Sequence, residues 1–323
     1  DGFLHNQRLG RVRALSAEID LAYLFYVFNS PNYRSKVRQT AAGTKVKHTS
    51  PEKLLKIDIP LPPPSEQRAI ARVLSDVDEL LAALEALIVK KRAIKQGAMQ
   101  QLLTGRIRLP GFSGEWETIS LGELFEIKNG LNKSKQFFGH GTPIVNYMDV
   151  FRYSTLKPSM LEGRVQLTRQ EIQNFDVRKG DVFFTRTSET TNEIGIAAVM
   201  IEDSPDTVFS GFVLRARPTA SRINNRFKAY CFASKSVRDQ IVATASYTTR
   251  ALTNGKLLSQ VLITLPPEAE QIAISQTLSD IDTEIAALEA RRDKTRAIKQ
   301  GMMQQLLTGR IRLVKPQPAE TNK

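Results

Sequence analysis

The chain has 323 residues, and 46 basic against 33 acidic side chains give it a formal net charge of +13. A chain of this length can hold two domains with cores of ordinary size. This excess of basic residues favours a polyanionic partner, and it favours nucleic acid over an acidic membrane. No apolar run is long enough to cross a membrane, so no membrane-spanning helix is predicted. The single cysteine, Cys231, predicts a reducing, cytoplasmic setting and is typical of a small buried hydrophobic residue rather than a nucleophile.

The opening block, residues 1–60, predicts a strand, a helix and a second strand. Apolar residues recur with a helical period at Leu21, Leu24 and Phe28, which predicts a helix within residues 17–30. The basic stretch RLGRVRAL at 8–15 is interpreted as a strand. The stretch LLKIDIPLP at 54–62 is interpreted as a second, short strand that its prolines end.

A long helix follows the prolines at 62–64, with Ser65 as its expected N-cap and Gly105 as its expected stop. About forty residues at 1.5 Å each would reach roughly 60 Å. Apolar residues alternate at spacings of four and three, which predicts a coiled-coil seam. The predicted seam residues of this helix are Ile70, Leu74, Val77, Leu81 and Leu84.

Residues 110–264 are enough for one further domain. Apolar, β-branched runs at 142–150, 180–188, 193–202 and 207–218 predict strands. A helix is expected at 225–234. The mixture of short strands and helices predicts the α+β class.

The chain carries its long helix twice. Residues 265–313 repeat residues 61–109 at an offset of 265 − 61 = 204 without a gap, and 34 of the 49 aligned residues are identical. The second seam is predicted at Ile274, Leu278, Ile281, Ile285 and Leu288. The same offset aligns Phe28 with Phe232 and Thr49 with Thr253, so a weaker duplication extends to the start of the chain. At this register the first unit lacks a counterpart of roughly the first 95 residues of the second, and we expect an incomplete first domain.

The sequence contains no arrangement of residues typical of an enzyme. It has no GxxxxGK[ST] phosphate loop and no GxSxG nucleophile elbow. His5, His48 and His140 do not cluster with cysteines or carboxylates, so neither a metal site nor a catalytic residue is predicted. The acidic pairs Asp76/Asp78 and Asp280/Asp282 recur in both copies and are interpreted as solvated helix faces.

Polar, basic loops are the remaining candidates for function. Arginine and lysine can read guanine, asparagine can read adenine, and hydroxyl groups mostly bind phosphates. With the net charge, such loops favour DNA as the partner. The candidate DNA-binding residues are Lys128, Asn132, Lys133, Lys135, Arg186, Thr187 and Arg250 in the complete domain, and Lys45 and Lys47 in the incomplete one.

On these residues the chain resembles the DNA-specificity subunits of type I restriction–modification enzymes. The marks are the repeated LPP…EQ entry, the LSDxD…AALEA helix, the KQGxMQQLLTGRIRL exit and the Trp116…LGEL opening of the middle domain. The resemblance implies two target-recognition domains, the first incomplete, separated by two long helices packed as an antiparallel coiled coil. The implied boundaries are 1–60 for the first domain, 61–109 for the first helix region, 110–264 for the second domain, 265–313 for the second helix region and 314–323 for a disordered tail.

The resemblance further implies a subunit without catalytic activity of its own. It would read a bipartite site on double-stranded DNA and set the gap between the half-sites with its helices. Two methyltransferase subunits that methylate adenine with S-adenosylmethionine would dock on it, and ATP- and Mg²⁺-dependent motor–nuclease subunits would join the complex. No cofactor is expected on this subunit. The alternatives are a coiled-coil scaffold that binds DNA without sequence preference, a half-subunit that acts as a homodimer, and a solitary methyltransferase or nuclease.

Overall fold

The computed structural model describes residues 12–41, 48–247 and 250–315. The helices of these residues are α1 Leu21–Asn29, α2 Pro31–Thr40, α3 Pro51–Leu55, α4 Pro64–Leu102, α5 Leu121–Leu124, α6 Tyr147–Arg152, α7 Arg169–Asn174, α8 Asn225–Cys231, α9 Lys235–Thr244, α10 Gly255–Ser259 and α11 Glu268–Leu306. The strands are β1 Glu117–Ser120, β2 Phe125–Asn129, β3 Phe138–Val145, β4 Thr155–Leu156, β5 Arg164–Val165, β6 Val182–Thr185, β7 Thr187–Ser188, β8 Ala197–Met200, β9 Val208–Phe209, β10 Val213–Pro218, β11 Ser246–Tyr247, β12 Ala251–Leu252 and β13 Leu262–Leu265. The predicted α+β class with two long helices is confirmed.

The chain divides into two compact units, and each long helix contributes to both. Unit 1 comprises residues 1–90 and 285–323, and unit 2 comprises residues 91–284. Each of the two long helices has 39 residues, which corresponds to a length of about 58 Å. Each unit therefore contains the first part of one copy of the helix and the last part of the other.

Within each unit the two helix segments run antiparallel. In unit 2, Lys91 pairs with Glu284, and Lys95 Nζ lies 2.5 Å from Asp282 Oδ1. Residue numbers rise along one helix as they fall along the other. In unit 1 the same order appears, because Lys299 binds Asp78 and Arg296 binds Glu85. Among the predicted seam residues, Ile70, Leu74, Leu84, Ile274, Leu278 and Ile285 are buried, whereas Val77, Leu81, Ile281 and Leu288 are half-buried.

Unit 1 is built on α1, which packs its buried face against the long helices. Asp20 caps α1 by accepting a hydrogen bond from the Tyr23 amide at 2.8 Å. Tyr23, Leu24 and Val27 then share a core with Ile70 and Leu74 of α4 and with Leu306 and Leu307 of α11. This core positions one end of each helix copy beside the domain of unit 1.

The two strands predicted in the opening block are wrong for the residues described. Of the strand predicted at 8–15, residues 8–11 lie outside the described residues and residues 12–15 form no strand. The stretch 54–62 forms the end of α3 followed by an irregular segment. The repeat explains the second error. The equivalent stretch in unit 2 is β13, which is a strand because β1 pairs with it, Ile119 opposite Ile263. The partner of the stretch 58–61 is absent from the described residues, so no ladder forms.

Unit 2 is organised by a five-stranded sheet in the order β2-β10-β6-β8-β4. Its central strand β6 reads VFFT and is buried at every position, as expected of a strand covered on both faces. Phe184 packs edge-to-face on Phe232 of the α8 region, with ring centroids 5.2 Å apart. The main core of the unit also takes in Leu102 and Leu103 of α4 and Ile274 and Leu278 of α11.

Two local expectations differ from the structure, and a third, the glycine stops of the long helices, agrees with it. Residues 142–150 were expected to be one strand, but β3 ends at Val145 and α6 begins at Tyr147, because Asn146 and Asp149 form a capping box. The long helix α4 begins at Pro64 rather than after Ser65, which a proline tolerates because its missing N–H has no partner in a first turn. Gly105 and Gly309 follow the long helices with φ of +67° and +71°, as a C-terminal stop requires.

A repeated glutamine ties each domain to its long helix. The Gln67 side chain accepts from the Asp20 amide and donates to the carbonyls of Glu18 and Pro62. Gln271 does the same at an offset of 204, with Asn224, Arg222 and Pro266 as its partners. Both amides are buried, and all of these distances lie between 2.7 and 3.1 Å. The offset of 204 thus repeats the same three hydrogen bonds in both units.

The second acid of each repeated pair, Asp78 or Asp282, is half-buried and hydrogen-bonded to its domain, so it does more than solvate a helix face. Asp282 accepts from Tyr230 Oη at 3.0 Å and from Lys95 Nζ, and this lysine also lies 5.5 Å from the Tyr230 ring centroid. In unit 1, Asp78 accepts in the same way from Tyr26 and Lys299. Residues two apart on a helix point to different sides. The side that carries Asp78 or Asp282 is the one that contacts the domain of its unit.

Candidate nucleic-acid interface

Three loops meet at one end of the five-stranded sheet of unit 2. The pairs Leu214–Asn129 and Val213–Thr185 place the end of β2, the end of β6 and the start of β10 side by side. The loops that follow β2 and β6, and the loop that precedes β10, therefore leave the sheet together. Loops fixed by a rigid sheet are the usual carriers of binding residues.

Arg186 leaves β6 at this end and is held by its backbone on two sides. Its amide donates to the Phe212 carbonyl at 3.1 Å, and its own carbonyl accepts from the Thr253 amide at 3.0 Å. The guanidinium reaches the Gly211 carbonyl at 3.4 Å. The half-buried side chain is thus positioned by the fold.

Two further candidates are brought to Arg186. A Cβ atom added to Gly211 would lie 2.2 Å from Asn132 Oδ1, so the absence of a side chain on Gly211 lets Asn132 approach. Arg250 immediately precedes β12, which pairs with β7 and places Leu252 opposite Thr187. We refer to Asn132, Arg186, Thr187, Phe212 and Arg250 as the Arg186 surface.

A cleft of about 480 Å³ opens at the Arg186 surface and is lined by Thr187, Phe212 and Arg250 among others. Tyr147 and Phe151 line it with stacked rings 5.7 Å apart. Phe212 is 61% exposed, which is unusual for so large an apolar side chain. The cleft also contains carboxylates, since Glu189 and Glu193 line it. Aromatic and carboxylate groups together can contact the thymine methyl group and accept from the cytosine amino group.

Sequence reasoning missed the aromatic part of this cleft. The stretch that contains Tyr147 was interpreted as strand, in which successive side chains alternate, whereas the short helix α6 puts Tyr147 and Phe151 one turn apart on one face. The available signal was the Asn146–Asp149 spacing of a capping box. Phe212 had no signal of its own, since it lies within the run 207–218 that predicts a strand, where an apolar residue is ordinarily buried.

The candidate lysines are placed differently. Lys128 Nζ donates to the Asn174 carbonyl at 2.7 Å and lies 5.4 Å from the Phe175 ring centroid. Lys133 pairs with Glu171 at 2.7 Å, and this hydrogen bond lowers the pKa of Glu171. Both ammonium groups are thus bound within the domain. Lys135 begins a turn of 3-10 helix and is exposed, whereas Lys45 and Lys47 lie outside the described residues.

Several basic residues of unit 2 bind within the fold instead of facing a partner. Arg217 donates to both oxygens of Asp181, at 2.9 and 2.7 Å, and to Asp176. Arg215 is 3% exposed and also reaches Asp176. Lys228 is buried, which lowers its pKa to about 8, and donates to the Gly180 carbonyl. These side chains add to the net charge without adding to the charge of the surface.

In the part of the chain that the structure describes, no group of three or more histidine, cysteine, aspartate or glutamate residues could hold a metal ion. Cys231 is buried and free, and burial raises the pKa of its thiol. No helix among the described residues has the length and apolar content of a membrane span.

Comparison with known proteins places these features in one family. The family described as "Type I restriction modification DNA specificity domain" matches residues 1–93 and 113–296. The type I restriction enzyme MjaVIII specificity subunit of Methanocaldococcus jannaschii is 25% identical over 313 residues, which cover 91% of this chain and 71% of that protein. The EcoKI specificity subunit of Escherichia coli is 24% identical over 307 residues, or 90% of this chain and 64% of the relative.

A solved structure agrees with this assignment at the level of the fold. The S subunit of a type I restriction–modification system from M. genitalium has a TM-score of 0.55 at 18% identity, covering 90% of this chain and 73% of that chain. The chain thus spans about two thirds to three quarters of the length of the relatives it matches. On the extent of the family match, the chain belongs to the type I restriction–modification DNA specificity family and is a specificity subunit rather than a catalytic one.

Proposed function

We propose that unit 2 reads one half of a split site on double-stranded DNA through the Arg186 surface, and that the long helices dock the partner subunits. The observation that carries the proposal is the meeting of Arg186, Asn132 and Arg250 at one end of a rigid sheet, beside a cleft with exposed aromatic groups. Arginine and asparagine are the side chains that read guanine and adenine in the major groove. Membership in a specificity family supports DNA as the ligand.

The docking of two methyltransferase subunits and of restriction subunits on the helices is supported by the exposure of apolar residues on α4. Leu80 and Leu87 are each 39% exposed, and Val89 is 66% exposed. At the offset of 204, α11 carries Glu284, Arg291 and Asp293 at these positions. The two helices therefore expose chemically different side chains at equivalent positions. This difference suits partner subunits that must each bind at one defined place. We propose that S-adenosylmethionine, ATP and Mg²⁺ are bound by those partners and not by this chain.

Selection of bound duplexes from a random DNA library, with the methyltransferase subunits supplied, tests the reading function. We expect one enriched motif with the unchanged chain. If Arg186 reads a base, Arg186→Ala relaxes one position of the motif at a cost of about 1–3 kcal/mol. Lys157→Ala is the matched control, because Lys157 follows β4 at the opposite end of the sheet and forms a surface ion pair with Glu202.

Three outcomes would contradict the proposal in different ways. A library that returns no motif favours a scaffold that binds DNA without sequence preference. An equal loss on all sequences makes Arg186 a phosphate contact. Methylation of DNA by the chain alone would show an enzyme instead of a specificity subunit.

A further inference from the structure

The cleft at the Arg186 surface contains a group that attraction to DNA alone does not explain. Glu193 lines this cleft together with Phe212. Duplex DNA carries one negative charge for about every 1.7 Å of its axis, so a carboxylate that faces it weakens binding unless it accepts a hydrogen bond from a base. In the major groove, cytosine and adenine offer such a donor through their amino groups.

Glu193 is held in place by hydrogen bonds from two hydroxyl groups. Its carboxylate accepts from Ser188 Oγ at 3.0 Å, and its backbone carbonyl accepts from Thr185 Oγ1 at 3.0 Å. Thr185 ends the buried strand β6, and Ser188 belongs to β7, which pairs with β12. An ionised carboxylate has about four acceptor positions. The strands thus fix a carboxylate that can accept from a base as well as from Ser188.

Phe212 is likewise held by its backbone, although most of the residue is exposed. It lies in a turn in which the Val213 amide donates to the Ser210 carbonyl at 3.0 Å, and its own carbonyl accepts from the Arg186 amide at 3.1 Å. Its amide donates to Ser210 Oγ at 3.3 Å. A large apolar side chain that a fixed turn keeps in solvent is suited to contact an apolar edge of a partner.

A carboxylate beside an aromatic ring matches one base edge better than the other three. In the major groove, cytosine presents its amino donor next to the apolar C5 position. Adenine also presents an amino donor, but its N7 acceptor lies beside it, and thymine and guanine present acceptor oxygens. Because a carboxylate repels these acceptors, it discriminates against the wrong bases in addition to selecting cytosine by a hydrogen bond.

We infer that Glu193 and Phe212 read one cytosine of the half-site, and this inference rests on the proposed function of unit 2. Glu193 accepts a hydrogen bond from the amino group of the cytosine, and Phe212 covers its C5 edge. Glu189 also lines the cleft but is the poorer reader. Its side chain is 85% exposed, and its carboxylate lies 4.0 Å from the guanidinium of Arg250.

The first test selects bound duplexes from a random library with the unchanged chain and with Glu193→Gln, the methyltransferase subunits being supplied. Glutamine keeps the size of the side chain and an acceptor for Ser188, but its amide N–H tolerates an acceptor on the base. We therefore expect the preference for cytosine at one position to fall about 10- to 100-fold. Glu202→Gln is the matched control, because Glu202 forms a surface ion pair with Lys157 at the opposite end of the sheet.

The second test changes the DNA instead of Glu193. A methyl group on C5 of the selected cytosine would pack on Phe212, so a duplex with 5-methylcytosine at that position should bind about 3- to 5-fold more tightly. Phe212→Ala should bind the methylated and unmethylated duplexes equally. Titration of labelled duplexes measures both ratios. Weaker binding of the methylated duplex by the unchanged chain, or a gain that persists in Phe212→Ala, overturns the role of Phe212.

The outcomes separate this inference from the proposed function. If Arg186→Ala relaxes the motif while Glu193→Gln keeps its cytosine, or if the motif contains no cytosine, the inference is wrong and the proposed function stands. If Glu193→Gln weakens binding equally on all sequences, Glu193 only supports its loop, and the inference is again wrong. If the unchanged chain returns no motif, both are wrong.

Discussion

At the residue scale, Asp282 joins three groups that belong to different elements of unit 2. It accepts from Tyr230 of α8 and from Lys95 of α4, while it belongs to α11. In unit 1 the equivalent contacts and burial raise the pKa of Tyr26 to about 12, with burial the larger cause. Charge-assisted hydrogen bonds of this kind are stronger than neutral ones, so each aspartate stabilises the junction of a domain with both helices.

We predict that Asp282→Ala lowers the free energy of unfolding by about 1–3 kcal/mol, because it leaves the tyrosine hydroxyl and the lysine without their acceptor. Asp280→Ala is the control, since Asp280 is exposed and its hydrogen bond among the described residues comes from Gln276 one turn away. Urea unfolding of both variants measures the difference. Equal losses would mean that the repeated acidic pair acts only through helix charge.

At the element scale, glycines of the repeated helix have opposite roles. Gly301 lies inside α11 and Gly309 lies beyond its end with φ of +71°, and an added Cβ meets nothing within 4 Å at either position. We predict that Gly301→Ala raises the free energy of unfolding by about 0.5–1 kcal/mol through helix propensity. Gly309→Ala should lower it by about 1–2 kcal/mol, because the left-handed backbone is unfavourable for alanine. Thermal unfolding distinguishes them, and a change of the same sign in both would contradict this account.

Sequence reasoning predicted well the elements whose structure depends on their own residues rather than on neighbouring elements. The long helices follow from an apolar period sustained over both copies, and their ends follow from Gly105 and Gly309. The strand predicted at 54–62 is wrong because an edge strand needs a neighbouring strand to pair with, and that neighbour is not among the described residues. The single strand predicted at 142–150 is wrong because the capping box at Asn146 starts a helix there and outweighs the β propensity of the stretch.

The candidate site was predictable only in part for a related reason. Polar loops identify Arg186, Asn132 and Arg250 as candidates, but only the sheet shows that they lie together. Lys128 and Lys133 have the same composition signal and instead bind within the domain. Charge along a sequence does not distinguish a side chain that faces a partner from one that holds two loops together.

At the scale of the whole molecule, the net charge of +13 predicts that binding to DNA responds to salt. Binding to DNA should weaken linearly in a plot of log affinity against log salt, because each neutralised phosphate releases counterions. If exposed Arg250 binds a phosphate, Arg250→Ala reduces the slope by about 1. Lys157→Ala should leave the slope unchanged. Titration of a labelled duplex at several salt concentrations measures both, and an unchanged slope for Arg250→Ala removes that residue from the phosphate contacts.

The division of each long helix between two units has a consequence for the gene. The copies align without a gap, so a crossover in register between them would excise 204 codons and fuse the start of one helix to the end of the other. The product would keep a single long helix, which cannot fold back on itself to form the antiparallel pairs of Asp78 with Lys299 and Glu85 with Arg296. Those same pairs could form only with a second polypeptide. One recombination event would thus convert contacts within a chain into contacts between chains, with no change to the residues that make them.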